Sequence, residues 1–181
     1  RKIKSGNLIF SEAVSNHSNN NVLLAVTSKD FLSTTFYGVE SFYEFYDNLN
    51  SLNKIFKNSE FNIIVKLHPI VASLKDNFNK KFKNITFTNE KIDSLFKKSF
   101  VCISYSSSVI EDALCSRKPV ILFDKWKRYK HCFASNNPNK ANEPIYYINN
   151  FNELKKNLIN IKKSKNINFD KVLFKNNYKK N

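Results

Sequence analysis

Six short apolar runs recur along this chain and limit what it can become: Val22–Val26, Asn62–Leu67, Ile85–Thr88, Phe100–Ser104, Val120–Phe123 and Ile145–Ile148. Most are continuous rather than alternating, so a strand built from one has no face to show to water. Such strands need cover on both sides. The segments between them supply it, because they carry helical spacing. Phe42, Phe45, Tyr46, Leu49, Leu52, Ile55 and Phe56 form one apolar stripe, and Ile92, Leu95 and Phe96 a shorter one. Val109, Ile110, Ala113 and Leu114 make a third, and Phe151, Leu154, Leu158 and Ile161 a fourth. These stripes read as core-facing sides of helices. Strand and helix alternate, which predicts an α/β fold: a parallel sheet of about six strands, helices on both faces, right-handed crossovers.

The chain has 181 residues, enough for one such domain with a sizeable core. It lacks methionine, which predicts a fragment or a processed chain. Residues 1–20 read as a linker or the remnant of a preceding domain, 21–163 as the α/β domain and 164–181 as a basic tail or helix. The tail carries a small apolar set at Phe169, Val172, Leu173 and Phe174, suited to packing and leaving lipid contact open. Only 2 glycines occur, which excludes a glycine-rich dinucleotide loop. The formal charge is +15, from 30 Lys and Arg against 15 Asp and Glu. The lysines are scattered, so compositional drift competes with attraction to phosphate-bearing partners. With no RNA-binding signature and no Cys/His finger, nucleic acid is not favoured. Cys102, Cys115 and Cys132 have no paired spacing and fit buried free thiols in a reducing cytoplasm. No run is long enough to span a membrane, and no signal peptide is visible.

The chemistry gathers at two strand ends. In sheets of this kind ligands bind outside the carboxyl ends of the strands. The first end is Asn62-Ile-Ile-Val-Lys-Leu-His-Pro69, where Pro69 biases His68 towards an extended conformation and keeps it on the strand line. An imidazole there can donate to a phosphate oxygen. Lys66 lies on the same side by alternation. The second is Cys102 to Phe123: strand, hydroxyl turn, short helix, strand. Ser106, Ser107 and Ser108 stand where the first N–H groups of a helix lack partners, a place for an anion. A competing account is a capping box, Ser108 bonding forward while Glu111 reaches back. Glu111, if not so committed, can reach the hydroxyls of a ribose. His17 and His131 have no such context and read as surface residues. Lys125, Lys127 and Arg128 follow a strand end but read as solvated surface. No Asp-x-Asp pair and no metal-ligand spacing occurs, and the Gly-x-Ser-x-Gly elbow of serine hydrolases is absent.

These residues carry a resemblance. Val65-Lys-Leu-His-Pro69, followed by Ser104-Tyr-Ser-Ser-Ser-Val-Ile-Glu-Asp-Ala-Leu114 and Lys118-Pro-Val-Ile121, resembles the C-terminal, donor-binding half of GT-B glycosyltransferases. It is most similar to those with paired His-Pro and Ser-Ser motifs: bacterial sialyltransferases and polysialyltransferases, capsule Kdo transferases and CDP-glycerol glycerophosphotransferases. The resemblance implies a Rossmann-like domain that binds a CMP- or CDP-linked donor as substrate, without a metal or other cofactor. It implies that His68 and the serines Ser106, Ser107 and Ser108 contact the donor phosphate, with His68 in the catalytic role; Lys66, Pro69 and Glu111 are expected beside them as donor-binding residues from their positions. It places the general base and the site for a glycan or lipid-linked acceptor in an N-terminal domain outside this chain. The expected setting is surface-polysaccharide synthesis in the cytoplasm, with peripheral contact at the inner face of the membrane left open. Two alternatives stay open: a sugar-nucleotide epimerase of the UDP-N-acetylglucosamine 2-epimerase type, and a non-catalytic basic α/β binding module.

Overall fold

A computed structural model describes residues 19–25 and 41–172. Val26, His17, Leu173 and Phe174, most of the expected linker and the end of the expected tail lie outside the described residues. Within them the apolar runs form six strands: β1 (Asn21–Ala25), β2 (Asn62–Lys66), β3 (Ile85–Thr88), β4 (Val101–Ser104), β5 (Val120–Phe123) and β6 (Ile145–Ile148). They make one sheet in the order β3-β2-β1-β4-β5-β6, with every neighbouring pair parallel. The α/β expectation is met, in a Rossmann-like arrangement.

Among the described residues four α-helices connect strands, α1 (Phe42–Ile55), α2 (Lys75–Lys81), α3 (Ile92–Lys98) and α4 (Val109–Cys115), a loop joins β5 to β6, and α5 (Phe151–Lys163) follows β6. Two separate apolar clusters show that both faces of the sheet are covered. Phe45, Leu49 and Leu52 of α1, Phe78 of α2 and Leu154, Leu158 and Ile161 of α5 pack on one face, against Val22, Ile63, Val65, Ile103 and Ile121. Leu95 and Phe96 of α3 and Ile110, Ala113 and Leu114 of α4 pack on the other, against Leu23, Cys102, Val120 and Leu122. Adjacent residues of β1 and β4 serve opposite faces, which is why their sequences are apolar throughout. The stripe residues of α1 point inward, and its start is fixed by a capping box: Glu44 N–H donates to Ser41 Oγ at 3.3 Å and Ser41 N–H to Glu44 Oε2 at 2.9 Å.

α4 ends in a Schellman motif. Arg117 N–H donates to the Leu114 carbonyl at 2.9 Å and Lys118 N–H to the Ala113 carbonyl at 2.8 Å. The motif needs a left-handed residue, and Arg117 supplies it with φ 52°. A side chain in that region costs about 1 kcal/mol relative to glycine. Arg117→Gly is therefore expected to raise stability by about 1 kcal/mol, read as a higher urea midpoint with unchanged slope. The same turn drives Lys118 inward, to 1% exposure.

Both edges of the sheet meet other groups. At β3, Asn79 accepts from Phe87 N–H at 2.8 Å and donates to the Phe87 carbonyl at 3.2 Å. At β6, Ser135 forms a parallel bridge with Tyr146: its N–H donates to the Ile145 carbonyl and its carbonyl accepts from Tyr147 N–H. Among the described residues, no helix is long and apolar enough to cross a membrane.

Candidate functional site

The sheet reverses its direction of growth between β1 and β4, and such a switch point opens a crevice at the carboxyl ends of the strands. The register aligns these ends: Ala25 of β1 is paired with Lys66 of β2 on one side and Ser104 of β4 on the other. His68 and Ser106 each stand two residues beyond those partners. They flank Ala25, whose methyl group is all the side chain that β1 places beneath them. The result is a cleft of about 350 Å³ lined by Lys66, His68, Pro69, Ser106, Ser107 and Ser108, with Ile92 and Val109 as apolar wall. Two motifs far apart in sequence thus meet in one cavity.

Each side chain is held differently. Lys66 and His68 are half-buried, and Lys66 Nζ donates to the Leu67 carbonyl at 3.2 Å. β2 ends at Lys66 and a 3₁₀ turn begins at Pro69, so His68 stands just beyond the strand, between the two. The serine turn departs from the expected capping box. Ser108 has helical dihedrals, φ −58° and ψ −15°, and its side chain makes no cap bond. A capping side chain requires an extended residue, and Ser108 has already joined the helix. Ser107 does the work instead: its Oγ accepts from Val109 N–H at 3.3 Å and its carbonyl from Ile110 N–H at 3.0 Å. Two N–H groups expected to face an anion are therefore satisfied by protein, and the capacity of the cleft to attract one rests on its side chains.

Glu111 neither caps the helix nor lines the cleft. Its Oε1 lies 2.8 Å from His131 Nε2, and His131 Nδ1 lies 3.4 Å from Ser106 Oγ. His131 is thus no surface residue: its side chain is 19% exposed and bridges the rim of the cleft to α4. It belongs to the loop between β5 and β6, which the buried Asp124 organises. Asp124 Oδ1 accepts from Trp126 N–H at 3.2 Å, while Oδ2 accepts from Tyr129 N–H at 2.9 Å and from the Tyr147 hydroxyl at 3.0 Å. Burial, the Asp124 hydrogen bond and its charge push the Tyr147 phenol up to about 12. Tyr129 in turn stands edge-on to the His131 ring, with centroids 6.1 Å apart.

Ser106, His131 and Glu111 have the composition of a hydrolytic triad without its backbone. Among the described non-glycine residues only Arg117, Lys127 and Asn142 have positive φ, so Ser106 lacks the strained elbow of such nucleophiles. The neighbouring cations lie outside the cleft. Lys125 pairs with Asp47 at 2.6 Å and Arg128 with Glu44 at 3.0 Å, while Lys127 is exposed. The cysteines are free; Cys102 is buried, with burial raising its thiol to about 12, but Cys115 is exposed and Cys132 half-buried. The expectation of buried thiols therefore fails for Cys115, which falls on the outer side of α4. Among the described residues no group of three His, Cys, Asp or Glu is placed to hold a metal ion.

His131 carries no local signal: it lies far from Ser106 in sequence and outside any periodic segment. The rule that all strand-to-helix loops of a parallel sheet open at one end would have put it on the ligand side. Compared with protein-family models, curated proteins and solved structures, the chain matches none.

Proposed function

We propose that this chain is the donor-nucleotide-binding half of a glycosyltransferase that uses a CMP- or CDP-activated donor in surface-polysaccharide synthesis. The observation that carries the reading is the convergence of Lys66, His68 and the Ser106–Ser108 turn on one cleft at the switch point of the sheet. Two potential cations and a set of hydroxyls beside an apolar wall suit a phosphate with an attached nucleoside better than a purely apolar ligand. The similarity of the His-Pro and Ser-Ser segments to cytidine-nucleotide enzymes supplies the base.

In the proposed reaction an acceptor hydroxyl attacks the activated centre of the donor, sugar carbon or phosphorus. The bond to the nucleotide phosphate breaks, and its electron pair stays on the departing oxygen. His68 and Lys66 offset that charge as it develops. A base in a preceding domain takes the acceptor proton. The epimerase and binding-module readings predict different ligands, so binding separates the three.

Calorimetric titration of the folded protein with CMP and UMP is the test. CMP is expected to bind more tightly than UMP, and His68→Ala to weaken CMP about tenfold, the scale of one hydrogen bond to a charged group. Absence of binding to either nucleotide, or CMP binding untouched by His68→Ala, would count decisively against the proposal. A preference for UMP would redirect it to a UDP-sugar enzyme.

A further inference from the structure

We propose that the loop from Lys125 to Phe133 is a membrane-docking surface: Phe133 enters the headgroup region of an anionic bilayer, and the cations beside it meet lipid phosphates. The proposal goes beyond the nucleotide reading above, and either can fail without the other.

The loop holds an apolar ring out in water. Phe133 is 91% exposed, more than any other large apolar side chain among the described residues. Cys132 and Ala134 on either side pack into the apolar cluster beneath, so alternation turns the ring between them outward. The far end of the loop is fixed by the bridge of Ser135 to β6. The near end is tied to α1, through Lys125 to Asp47 at 2.6 Å and Arg128 to Glu44 at 3.0 Å. A ring projecting from a braced loop has little order left to lose on binding.

Charge identifies the partner. Residues 125–142 contain no Asp or Glu, while Lys125, Lys127, Arg128, Lys130 and Lys140 all fall there. The acids of α1 neutralise Lys125 and Arg128, and Glu143 pairs with Lys140 at 2.9 Å. Among the described residues no carboxylate pairs with Lys127 or Lys130. Lys127 is exposed. Lys130 Nζ donates to the Ala134 carbonyl and to Asn136 Oδ1, both at 3.0 Å, and these neutral acceptors hold its charge 5.8 Å from the centre of the Phe133 ring. Cations around an exposed aromatic ring suit a boundary where an anionic layer lies on an apolar one. A second copy of the chain would set like charge against like. Single-stranded nucleic acid needs a row of free ring faces. Trp126 already carries Lys125 and Arg128 over its ring, and Tyr129 stands edge-on to Tyr105 and His131. The loop leaves β5 at the carboxyl end of the sheet, and its His131 lies 3.4 Å from Ser106 at the rim of the cleft. Docking therefore brings the cleft to the bilayer surface.

Sedimentation of the full chain with vesicles of phosphatidylcholine alone, and of phosphatidylcholine with phosphatidylglycerol, tests this. Binding is expected to the mixed vesicles and not to the neutral ones, and it should weaken with salt. Phe133→Ala should weaken it about tenfold, the scale of burying most of an aromatic side chain. Lys127→Asn, which tolerates the φ of 57° at that position, should weaken it about fivefold, the scale of one cation at a charged surface. Lys83 is an exposed cation before β3, at the opposite end of the sheet, and Lys83→Asn should leave binding unchanged. Phe133→Trp should bind like the wild type and gain fluorescence quenching by brominated acyl chains. Binding untouched by Phe133→Ala, equal losses in Lys127→Asn and Lys83→Asn, no added quenching in Phe133→Trp, or failure of the folded wild type to bind the mixed vesicles overturns the proposal. A single-stranded oligonucleotide bound in place of vesicles, and lost with Phe133→Ala, overturns it in favour of nucleic acid. CMP titration of Phe133→Ala should match the wild type, so the two readings are judged separately.

Discussion

Replacing Asp124 by alanine should lower stability by about 3 kcal/mol, because it orphans three donors at once. The Trp126 and Tyr129 amides and the Tyr147 hydroxyl all converge on this carboxylate, which is only 1% exposed. Without the carboxylate each of these groups must stay unpaired or pull the loop apart to reach water. Asp124→Asn keeps one acceptor oxygen and should lose about 1 kcal/mol. Urea unfolding distinguishes the two. A second readout locates the cause: the Tyr147 phenol, raised to about 12 by burial and by Asp124, should titrate nearer its ordinary value of 10.0 in Asp124→Ala, seen as tyrosinate absorbance. Unchanged stability and an unmoved tyrosine titration would show that Asp124 does not hold the loop.

Lys118→Met should raise stability by about 1–2 kcal/mol near neutral pH. Lys118 is 1% exposed, and its Nζ has no hydrogen-bond partner. It occupies the place after a Schellman turn where an apolar contact is usual, so its stem packs well and its ammonium is desolvated. Methionine keeps the stem and removes the charge. Burial pulls the lysine below its ordinary value of 10.5. Between that lowered value and about 10.5 the unfolded chain holds a proton that the folded chain has released. Wild-type stability should therefore rise with pH through this window, and the advantage of Lys118→Met should shrink over it. Urea midpoints of both proteins across alkaline pH give the comparison. A variant less stable than wild type at neutral pH would mean that the ammonium has a favourable role.

The strands were legible because nothing in them is ambiguous. Val22–Ala25 is apolar at every position and Val101–Ser104 at every position but the last, as central strands covered on both faces must be. α1, α3, α4 and α5 announced themselves by their stripes. α2 did not, since Lys75-Asp-Asn-Phe-Asn-Lys-Lys81 buries only Phe78, and one residue makes no periodicity. The cleft was legible where strand ends carry the chemistry, at Lys66, His68 and Ser106–Ser108. It failed where the chemistry is assembled across the sheet. Ser108-Val-Ile-Glu111 has the letters of a capping box, but which serine caps is decided by where β4 releases the chain, and that belongs to tertiary structure. The meaning of His131 lies in two contacts made by a loop, to Ser106 and Glu111, and local pattern carries no trace of them.

The two edges of the sheet bear on how this protein behaves in a crowd. Its strands are the kind of short, apolar, β-branched segments that stack into fibrils when their backbones are exposed. A native edge normally offers such segments a place to start. Here the outward amide and carbonyl of Phe87 are engaged by the side chain of Asn79, and β6 is shielded by Ser135. Asparagine serves as a strand of one residue: it satisfies the edge and cannot be extended. Self-association should therefore be governed by how often the chain unfolds, with a rate that tracks global stability, and not by recruitment onto the folded molecule.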